Sequence, residues 1–179
     1  MRTGFRTHGR GPYVPSFVAQ SPWMDLHIDL GRLVDALSRV RIEYALCGGL
    51  AVAVHGFPRS TKDIDLLVRP EDAPRIVSAV ASIGFTLDAG ELPFGWRGPH
   101  PRRVRRISKT EGPEVLTLDL VLLPPWLANV WDSREVIWWE GRELTVVSRD
   151  GLLEMKRIAG RPQDLADIAR LTGESDEEG

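Results

Sequence analysis

The stretch "YALCGGLAVAVHGFPRSTKDIDLLV", residues 44–68, sets the architecture of this chain. It reads as an apolar strand, two adjacent glycines, a short helix of small residues and a second apolar strand. The second strand carries two acids, Asp63 and Asp65, among isoleucine, leucine and valine. Because side chains alternate across a strand, both carboxylates point to one face and repel each other unless a cation lies between them.

A divalent cation would stabilise this acidic pair. Mg²⁺ is commonly held by one or two carboxylates together with phosphate oxygens and water. A third acid, Asp119, stands alone in the apolar run "LTLDLVLLP", residues 116–124, and strand pairing would bring it beside the first two. We therefore predict a two-metal site (Mg²⁺ or Mn²⁺) for in-line phosphoryl transfer at Asp63, Asp65 and Asp119. Taken alone, an Asp-x-Asp pair is more often a solvated strand end.

Gly48 and Gly49 separate the first strand from the short helix. Without side chains they let a phosphate approach the backbone, and the N–H groups at the start of a helix favour an anion. A lone Gly-Gly is equally typical of a tight turn, but its combination with the Asp-x-Asp strand is more specific. Arg59 and Thr61 come just before Asp63, where they would either touch phosphate or lie in a solvated loop.

These residues carry a family resemblance. Residues 46–68 resemble the signature of the nucleotidyltransferase superfamily related to DNA polymerase β, in which Gly-Gly or Gly-Ser precedes Asp-apolar-Asp and a later third acid. The Gly-Gly form is particularly similar to the AbiEii-type toxins of type IV toxin–antitoxin systems. A second segment, "MKRIAGRPQDLADIARL" (155–171), resembles the C-terminal motif of that group through Lys156, Arg161, Asp164 and Asp167.

The resemblance implies an α+β nucleotidyltransferase fold, a mixed β-sheet flanked by helices, with a short C-terminal helical segment. It also implies metal-dependent transfer of a nucleoside monophosphate from an NTP to an acceptor hydroxyl or phosphate. Lys156 would hold the triphosphate, and Arg161 would clamp phosphate or pair with Asp164. The residues expected to bind nucleotide are Gly48, Gly49, Arg59, Thr61, Lys156, Arg161 and Asp164, and the expected catalytic residues are Asp63, Asp65 and Asp119.

The acceptor is left open between several classes. RNA or protein would fit a type IV toxin–antitoxin component with a cognate antitoxin or toxin partner. The run "WRGPHPRRVRR", residues 96–106, has five arginines that would attract RNA, although a solvated loop explains it as well. The alternatives are an antibiotic-type nucleotidyltransferase with a small-molecule acceptor and a non-catalytic nucleotide-binding or antitoxin protein.

Composition sets further bounds. The chain has 179 residues with a formal net charge of −2, which suits one domain and argues against a protein coated by nucleic acid. Cys47 is the single cysteine, so an internal disulfide and a cysteine-based zinc site are both excluded. No apolar run is long enough for a membrane span, and we expect a cytoplasmic protein. We predict a flexible arm (1–23), a nucleotidyltransferase domain (24–172) and a disordered acidic tail (173–179).

The periodicity also predicts the elements around the signature. We expect a long loop over residues 88–102 because of its glycines and prolines. The predicted helices are 25–39, 48–55, 70–83, 149–158 and 162–171, and the predicted strands are 42–47, 62–68, 85–87, 102–109, 115–124 and a hairpin over 136–147.

Overall fold

A computed structural model of the chain describes residues 25–95 and 97–173. The predicted arm lies outside the described residues, as does the predicted acidic tail beyond Gly173. The division of the chain into arm, domain and tail therefore stays a prediction. No described helix combines the length and the apolar character that crossing a membrane would require.

The described residues form six α-helices and seven β-strands. The helices are α1 (Leu26–Arg39), α2 (Gly48–Val54), α3 (Ala73–Ala81), α4 (Ala128–Asp132), α5 (Arg149–Ala159) and α6 (Pro162–Thr172). The strands are β1 (Tyr44–Cys47), β2 (Asp63–Val68), β3 (Leu87–Phe94), β4 (Arg102–Glu111), β5 (Glu114–Leu122), β6 (Glu135–Trp139) and β7 (Arg142–Val146). Two 3₁₀ turns, Pro70–Asp72 and Pro125–Leu127, lead into α3 and α4.

All seven strands join one mixed sheet in the order β3-β4-β5-β2-β1-β7-β6. Two pairs are parallel, β2 with β5 and β1 with β7, and the others are antiparallel. The central strands β1, β2 and β5 are the most buried of the seven, which is expected for strands covered on both faces. The predicted mixed sheet is therefore present, with the Asp-x-Asp strand at its centre.

The helices begin and end where the sequence indicates. The Asp25 carboxylate accepts hydrogen bonds from the backbone N–H groups of His27 and Ile28, capping α1. Ser148 likewise accepts from the N–H of Gly151 and caps α5, and Gly160 ends α5 in the left-handed conformation, with a φ of 61°. These caps fix the lengths of the two helices that cover opposite sides of the sheet.

The core fills both faces of the sheet. Leu33 and Leu37 of α1 are fully buried, as are Leu66 and Leu67 of β2. Each fully buried leucine contributes about 1.5–3 kcal/mol relative to an exposed one. Helices α1 and α3 cover one face, and α2, α4, α5 and α6 gather on the other. The first face is also tied by a buried ion pair, Lys109 Nζ to Asp29 Oδ1 at 2.6 Å.

The predicted loop over residues 88–102 is wrong in its first half. Leu87–Phe94 forms the edge strand β3, which pairs with β4 through a bulge between Asp88 and Gly90. Gly90 has a φ of 74°, which the bulge uses. Pro93 is tolerated because an edge strand has one unpaired side. Nearly every side chain of β3 is exposed, so the strand has no alternation of apolar residues by which its sequence would reveal it.

Candidate active site

The three acids meet at one row of the sheet. Asp63 and Asp65 lie on one face of β2, and Asp65 is in register with Asp119 on the neighbouring parallel strand β5. Adjacent strands are about 4.8 Å apart, so these carboxylates share one small region. The structure therefore brings Asp63, Asp65 and Asp119 together, as predicted from the sequence.

The region carries unbalanced negative charge. The pKa of Asp65 is raised to about 6, first by burial and then by the negative charges of Asp119 and Asp63. The pKa of Asp63 is also raised, first by burial and then by Asp119. No hydrogen bond or ion pair to another described residue is made by either side chain. Asp63 and Asp65 thus offer oxygen ligands that lack a cation.

Residue 48 has to be a glycine because it lies very close to the Asp65 side chain. Its φ is 64°, in the left-handed region that favours glycine. A β-carbon at residue 48 would lie 2.6 Å from Cγ of Asp65 and closer still to Oδ2. At Gly49, a β-carbon would lie 2.9 Å from a terminal guanidinium nitrogen of Arg59 and from Oγ1 of Thr61. The Gly-Gly turn is therefore packed tightly against the acidic strand and the loop before it.

Asp119 is held by an arginine that the sequence analysis did not assign to the site. Arg106 of β4 donates from Nε to Oδ1 of Asp119 at 2.8 Å and from Nη2 to Oδ2 at 2.7 Å. Among the described residues, no group of three or more His, Cys, Asp or Glu side chains is arranged to hold a metal ion. The donor set fits a divalent cation on Asp63 and Asp65, whereas Asp119 is engaged by Arg106.

The predicted C-terminal residues form a buried ionic cluster. Lys156 Nζ lies 3.1 Å from Oδ1 of Asp164 and 2.7 Å from Oδ2 of Asp167, and all three side chains are almost fully buried. Burial alone would raise the pKa of Asp164, but hydrogen bonds from Arg161 and Lys156 outweigh it, and the pKa is lowered. The sequence analysis expected Lys156 to hold triphosphate; in the structure its ammonium is paired with two carboxylates of α6.

Arg59 and Arg161 extend this cluster towards the acids. Arg59 Nε lies 2.9 Å from Oδ1 of Asp167, which ties the loop before β2 to α6. Arg161 donates from Nε to Oδ2 of Asp164 at 2.7 Å, and its side chain is 71% exposed. Of the two roles predicted for Arg161, the pair with Asp164 is present. The cluster thus holds the C-terminal helices beside the acidic strand.

A cleft of about 370 Å³ lies above these residues. Its volume falls in the range of small-ligand sites. All ten residues predicted to act in catalysis or nucleotide binding line it: Gly48, Gly49, Arg59, Thr61, Asp63, Asp65, Asp119, Lys156, Arg161 and Asp164. The ten residues thus lie around one cleft, although the contacts of Asp119 and Lys156 differ from those expected.

The cleft also contains residues that the sequence analysis did not place there, including Arg102 with Phe94 and Trp126. Burial lowers the pKa of Arg102, and the nearby positive charge of Arg161 lowers it further. Arg102 lies over the Phe94 ring, 5.9 Å from its centroid, and forms no ion pair within the described part of the chain. Two arginines that repel each other across a cleft are suited to share an anion.

The predicted arginine patch is divided between the two faces of β4. Arg102 and Arg106 line the cleft, whereas Arg103 and Arg105 alternate to the other face. Arg103 lies 2.8 Å from Glu91, and Arg105 lies 2.6 Å from Asp88, both on β3. The arginines of this run therefore do not form one basic surface, because alternation along β4 divides them between its two faces.

Comparisons with known proteins agree with this geometry. The family model for aminoglycoside-2″-adenylyltransferases matches residues 29–106, which include the two glycines, Asp63 and Asp65 and end at Arg106. No curated protein matches the chain significantly in sequence.

Solved structures resemble the chain over most of its length. ANT(2″)-Ia with adenylyl-2″-tobramycin gives a TM-score of 0.56 at 18% identity, covering 83% of this chain and 88% of that one. An antigenic nucleotidyltransferase-like protein from Paracoccidioides brasiliensis gives 0.52 at 20% identity, covering 81% and 75%. LnuA, a lincosamide antibiotic adenylyltransferase with bound lincomycin, gives 0.50 at 16% identity, covering 81% and 95%.

These likenesses establish the fold. The chain has the α+β nucleotidyltransferase fold, so the fold prediction is confirmed. Closeness to the AbiEii-type toxins in particular is not among these findings and stays a hypothesis.

Proposed function

We propose that this chain is a nucleotidyltransferase that moves a nucleoside monophosphate from an NTP to a hydroxyl group of a small-molecule acceptor. The observation that carries the proposal is the row formed by Asp65 and Asp119 in register, with Asp63 beside it, inside the cleft that also holds Gly48 and Gly49. Like charges placed this close together raise the free energy of the folded protein. Such unfavourable pairs are common at catalytic sites.

Asp63 and Asp65 would hold a divalent metal ion such as Mg²⁺. When bound, this ion would neutralise the carboxylates and orient phosphate oxygens. The support for it in this chain is the pair of carboxylates without a cationic partner of their own among the described residues, with Asp65 pressed against the Gly48 turn.

Arg102 and Arg161 would bind the triphosphate. Both line the cleft, Arg161 is largely exposed, and Arg102 has no carboxylate partner within the described residues. Guanidinium groups bind phosphate oxygens with two parallel hydrogen bonds. Lys156 would contribute by holding Asp164 and Asp167 in place. These two carboxylates would in turn fix the positions of Arg161 and Arg59.

The reaction is a displacement at the α-phosphorus of the NTP. The acceptor oxygen forms a bond to that phosphorus as the bond to the bridging oxygen breaks, and pyrophosphate leaves with the electron pair. The hydroxyl proton passes to water. The task of the chain is to align the two oxygens on opposite sides of the phosphorus and to balance the charge that develops.

A small molecule suits this cleft better than RNA. The apolar side chains of Phe94, Val121 and Trp126 line it beside the charged residues, and amphipathic walls of this kind are typical of small-ligand sites. Two of the five arginines that would have attracted RNA, Arg103 and Arg105, lie on the other face in ion pairs. ANT(2″)-Ia and LnuA, which share the fold, are antibiotic adenylyltransferases, which supports the same class of acceptor.

A transfer assay tests the proposal. The protein is incubated with Mg²⁺ and each of the four NTPs labelled at the α-phosphate, with aminoglycosides, lincosamides, total RNA or protein as acceptor. We expect label on a small molecule and release of pyrophosphate, both lost in Asp65→Asn. The matched control is Asp88→Asn, which removes a strand carboxylate outside the cleft and should keep full activity. Label on RNA or protein alone would overturn the acceptor class, and no transfer at all would favour a non-catalytic protein.

A further inference from the structure

We infer that this site takes one divalent cation, on Asp63 and Asp65, and that the Arg106 guanidinium stands in the place of a second. The inference rests on the proposed function, because it concerns the same cleft and the same reaction. It assigns a role to a residue that the sequence analysis did not single out and that lies opposite Asp119 in the β4–β5 hairpin.

The first support is that both oxygens of Asp119 are already bound. Arg106 donates to Oδ1 at 2.8 Å and to Oδ2 at 2.7 Å, the parallel arrangement in which a guanidinium matches a carboxylate. Asp119 is only 8% exposed whereas the Arg106 side chain is 41% exposed, so water screens this pair from the Arg106 side only. A carboxylate held in this way has little charge left with which to attract a second cation. The residues therefore fit one ion and do not fit two.

The second support is that the register itself builds the pair. Arg106 and Asp119 are opposite each other on adjacent antiparallel strands, and both side chains line the cleft. The backbone ladder from Arg103 to Glu111 fixes this register, independently of the side chains. The pairing therefore belongs to the architecture of the hairpin.

The third support is the charge balance. The positive charge of Arg106 acts on Asp63 and Asp65 as well as on Asp119. Three carboxylates and one guanidinium leave two negative charges, which one divalent cation neutralises. A guanidinium has five N–H donors, and the bonds to Asp119 use two of them. The remaining donors can bind phosphate oxygens, which is one of the tasks that a second cation would perform.

A purely structural brace is the competing explanation. Arg105, the adjacent residue, makes the same kind of two-bond pair with Asp88 on the opposite face of β4, where it braces β3. If Arg106 were only a second brace, its removal would not change how many cations the site binds. Arg105 is therefore the matched control.

The test counts Mn²⁺ bound per chain in a stoichiometric complex of the full-length protein with a non-hydrolysable α,β-methylene NTP, using the EPR signal of free Mn²⁺. We expect one ion for the wild type and for Arg105→Gln, and two for Arg106→Gln, in which Asp119 becomes available. Since Arg106→Gln leaves a buried carboxylate without its partner and could fold poorly, Asp119→Asn is measured as well. It should still bind one ion, because Asp119 is not a ligand, but more weakly, because the unpaired Arg106 then lies beside Asp63 and Asp65.

The outcomes separate this inference from the proposed function. Two ions in the wild type, one of them lost in Asp119→Asn, would overturn the inference and leave nucleotidyl transfer intact. One ion in both the wild type and Arg106→Gln would also overturn it, because Arg106 would then exclude nothing. If the wild type binds no Mn²⁺ and Asp65→Asn behaves identically, the metal-dependent function fails and the inference fails with it.

Discussion

The carboxylate of Asp65 lies directly against the α-carbon of Gly48, where β1 turns into α2. A β-carbon at residue 48 would approach Cγ of Asp65 to 2.6 Å, a distance that real β-carbons essentially never show. Gly48 also has a φ of 64°. The Gly-Gly pair therefore does two things at once: it reverses the chain and makes room for an acid on the neighbouring strand.

Gly48→Ala should consequently cost more than an ordinary glycine substitution. The left-handed conformation penalises alanine by roughly 1–2 kcal/mol, and displacing Asp65 adds about 1–3 kcal/mol. Gly160 is the control, because its φ is 61° and a β-carbon there would meet nothing closer than 3.7 Å. Urea denaturation of both variants should show the larger loss for Gly48→Ala, together with loss of transfer activity. Equal losses in the two variants would mean that strain alone matters.

Asp65→Asn should stabilise the metal-free protein at neutral pH. The folded protein raises the pKa of Asp65 to about 6 from an ordinary value of 3.8, so the charged form is penalised in the folded state. The unfavourable contribution of Asp65 to the stability of the wild type should therefore fade as the pH falls through about 6 towards about 4. The shift corresponds to an upper limit of about 3 kcal/mol at pH 7–8, and the gain should vanish near pH 4.

Chemical denaturation in EDTA between pH 4 and pH 8 measures this gain. Asp88→Asn is the control of opposite sign, because the hydrogen bond from Arg105 lowers the pKa of Asp88. Its contribution is present at neutral pH and lost as the pH falls, so Asp88→Asn should give no gain at pH 7. If the gain from Asp65→Asn over the wild type did not shrink between pH 7 and pH 4.5, the raised pKa of Asp65 would be contradicted.

Part of the site was predictable from the sequence because side chains alternate along a strand. Alternation places Asp63 and Asp65 on one face, and Asp119 is recognisable as a lone acid in an apolar strand. The partner of Asp119 was also predictable, because the turn at residues 112–113 sets the register of the hairpin. Arg106 lies five residues before Glu111 and Asp119 lies five residues after Glu114, so the two are opposite each other. Grouping the arginines by composition alone hides this pair.

Other features were beyond the reach of local pattern. The strand β3 buries almost nothing and pairs through a bulge, so neither alternation nor turn chemistry marks it. The partners of Lys156 depend on how α5 and α6 pack together, since Asp164 and Asp167 lie on the next helix. A sequence motif identifies these residues, but tertiary packing decides whether the lysine contacts a ligand or a carboxylate.

Lys156→Met should destabilise the protein by about 3–5 kcal/mol, because it leaves Asp164 and Asp167 buried without the ammonium. Arg142→Met is the control. It removes a more exposed pair, Arg142 with Asp35, so solvent screening should make the loss much smaller. The free energy of unfolding in urea at pH 7 compares them. Similar small losses would show that Lys156 is free to serve a ligand instead of the cluster.

Arg102→Gln should weaken NTP binding and leave the fold intact. Arg102 lines the cleft and forms no ion pair among the described residues, so nothing buried loses a partner. A hydrogen bond to a charged group is worth about 1.5–3 kcal/mol, which corresponds to roughly a 10- to 100-fold higher Kd. Arg103→Gln is the matched control, one residue along the strand and on the other face. Calorimetric titration with a non-hydrolysable NTP and Mg²⁺ gives both values, and equal affinities would remove Arg102 from the site.

The last prediction concerns the acceptor and separates the small-molecule proposal from RNA. Arg103 and Arg105 face away from the cleft and are paired with Glu91 and Asp88, so their charges are largely balanced. The double substitution Arg103→Gln and Arg105→Gln should therefore leave transfer to a small molecule unchanged, with little dependence on salt between 50 and 300 mM, as roughly expected where few phosphates are neutralised. An RNA acceptor would give a steep fall with salt, because counterions are released on binding, and the double variant would reduce that slope by about two. Transfer and binding are measured across this salt range in the wild type and in the double variant. Only a macromolecular polyanion is large enough to contact charges that lie outside the cleft, so a difference in salt dependence between the two proteins would indicate RNA.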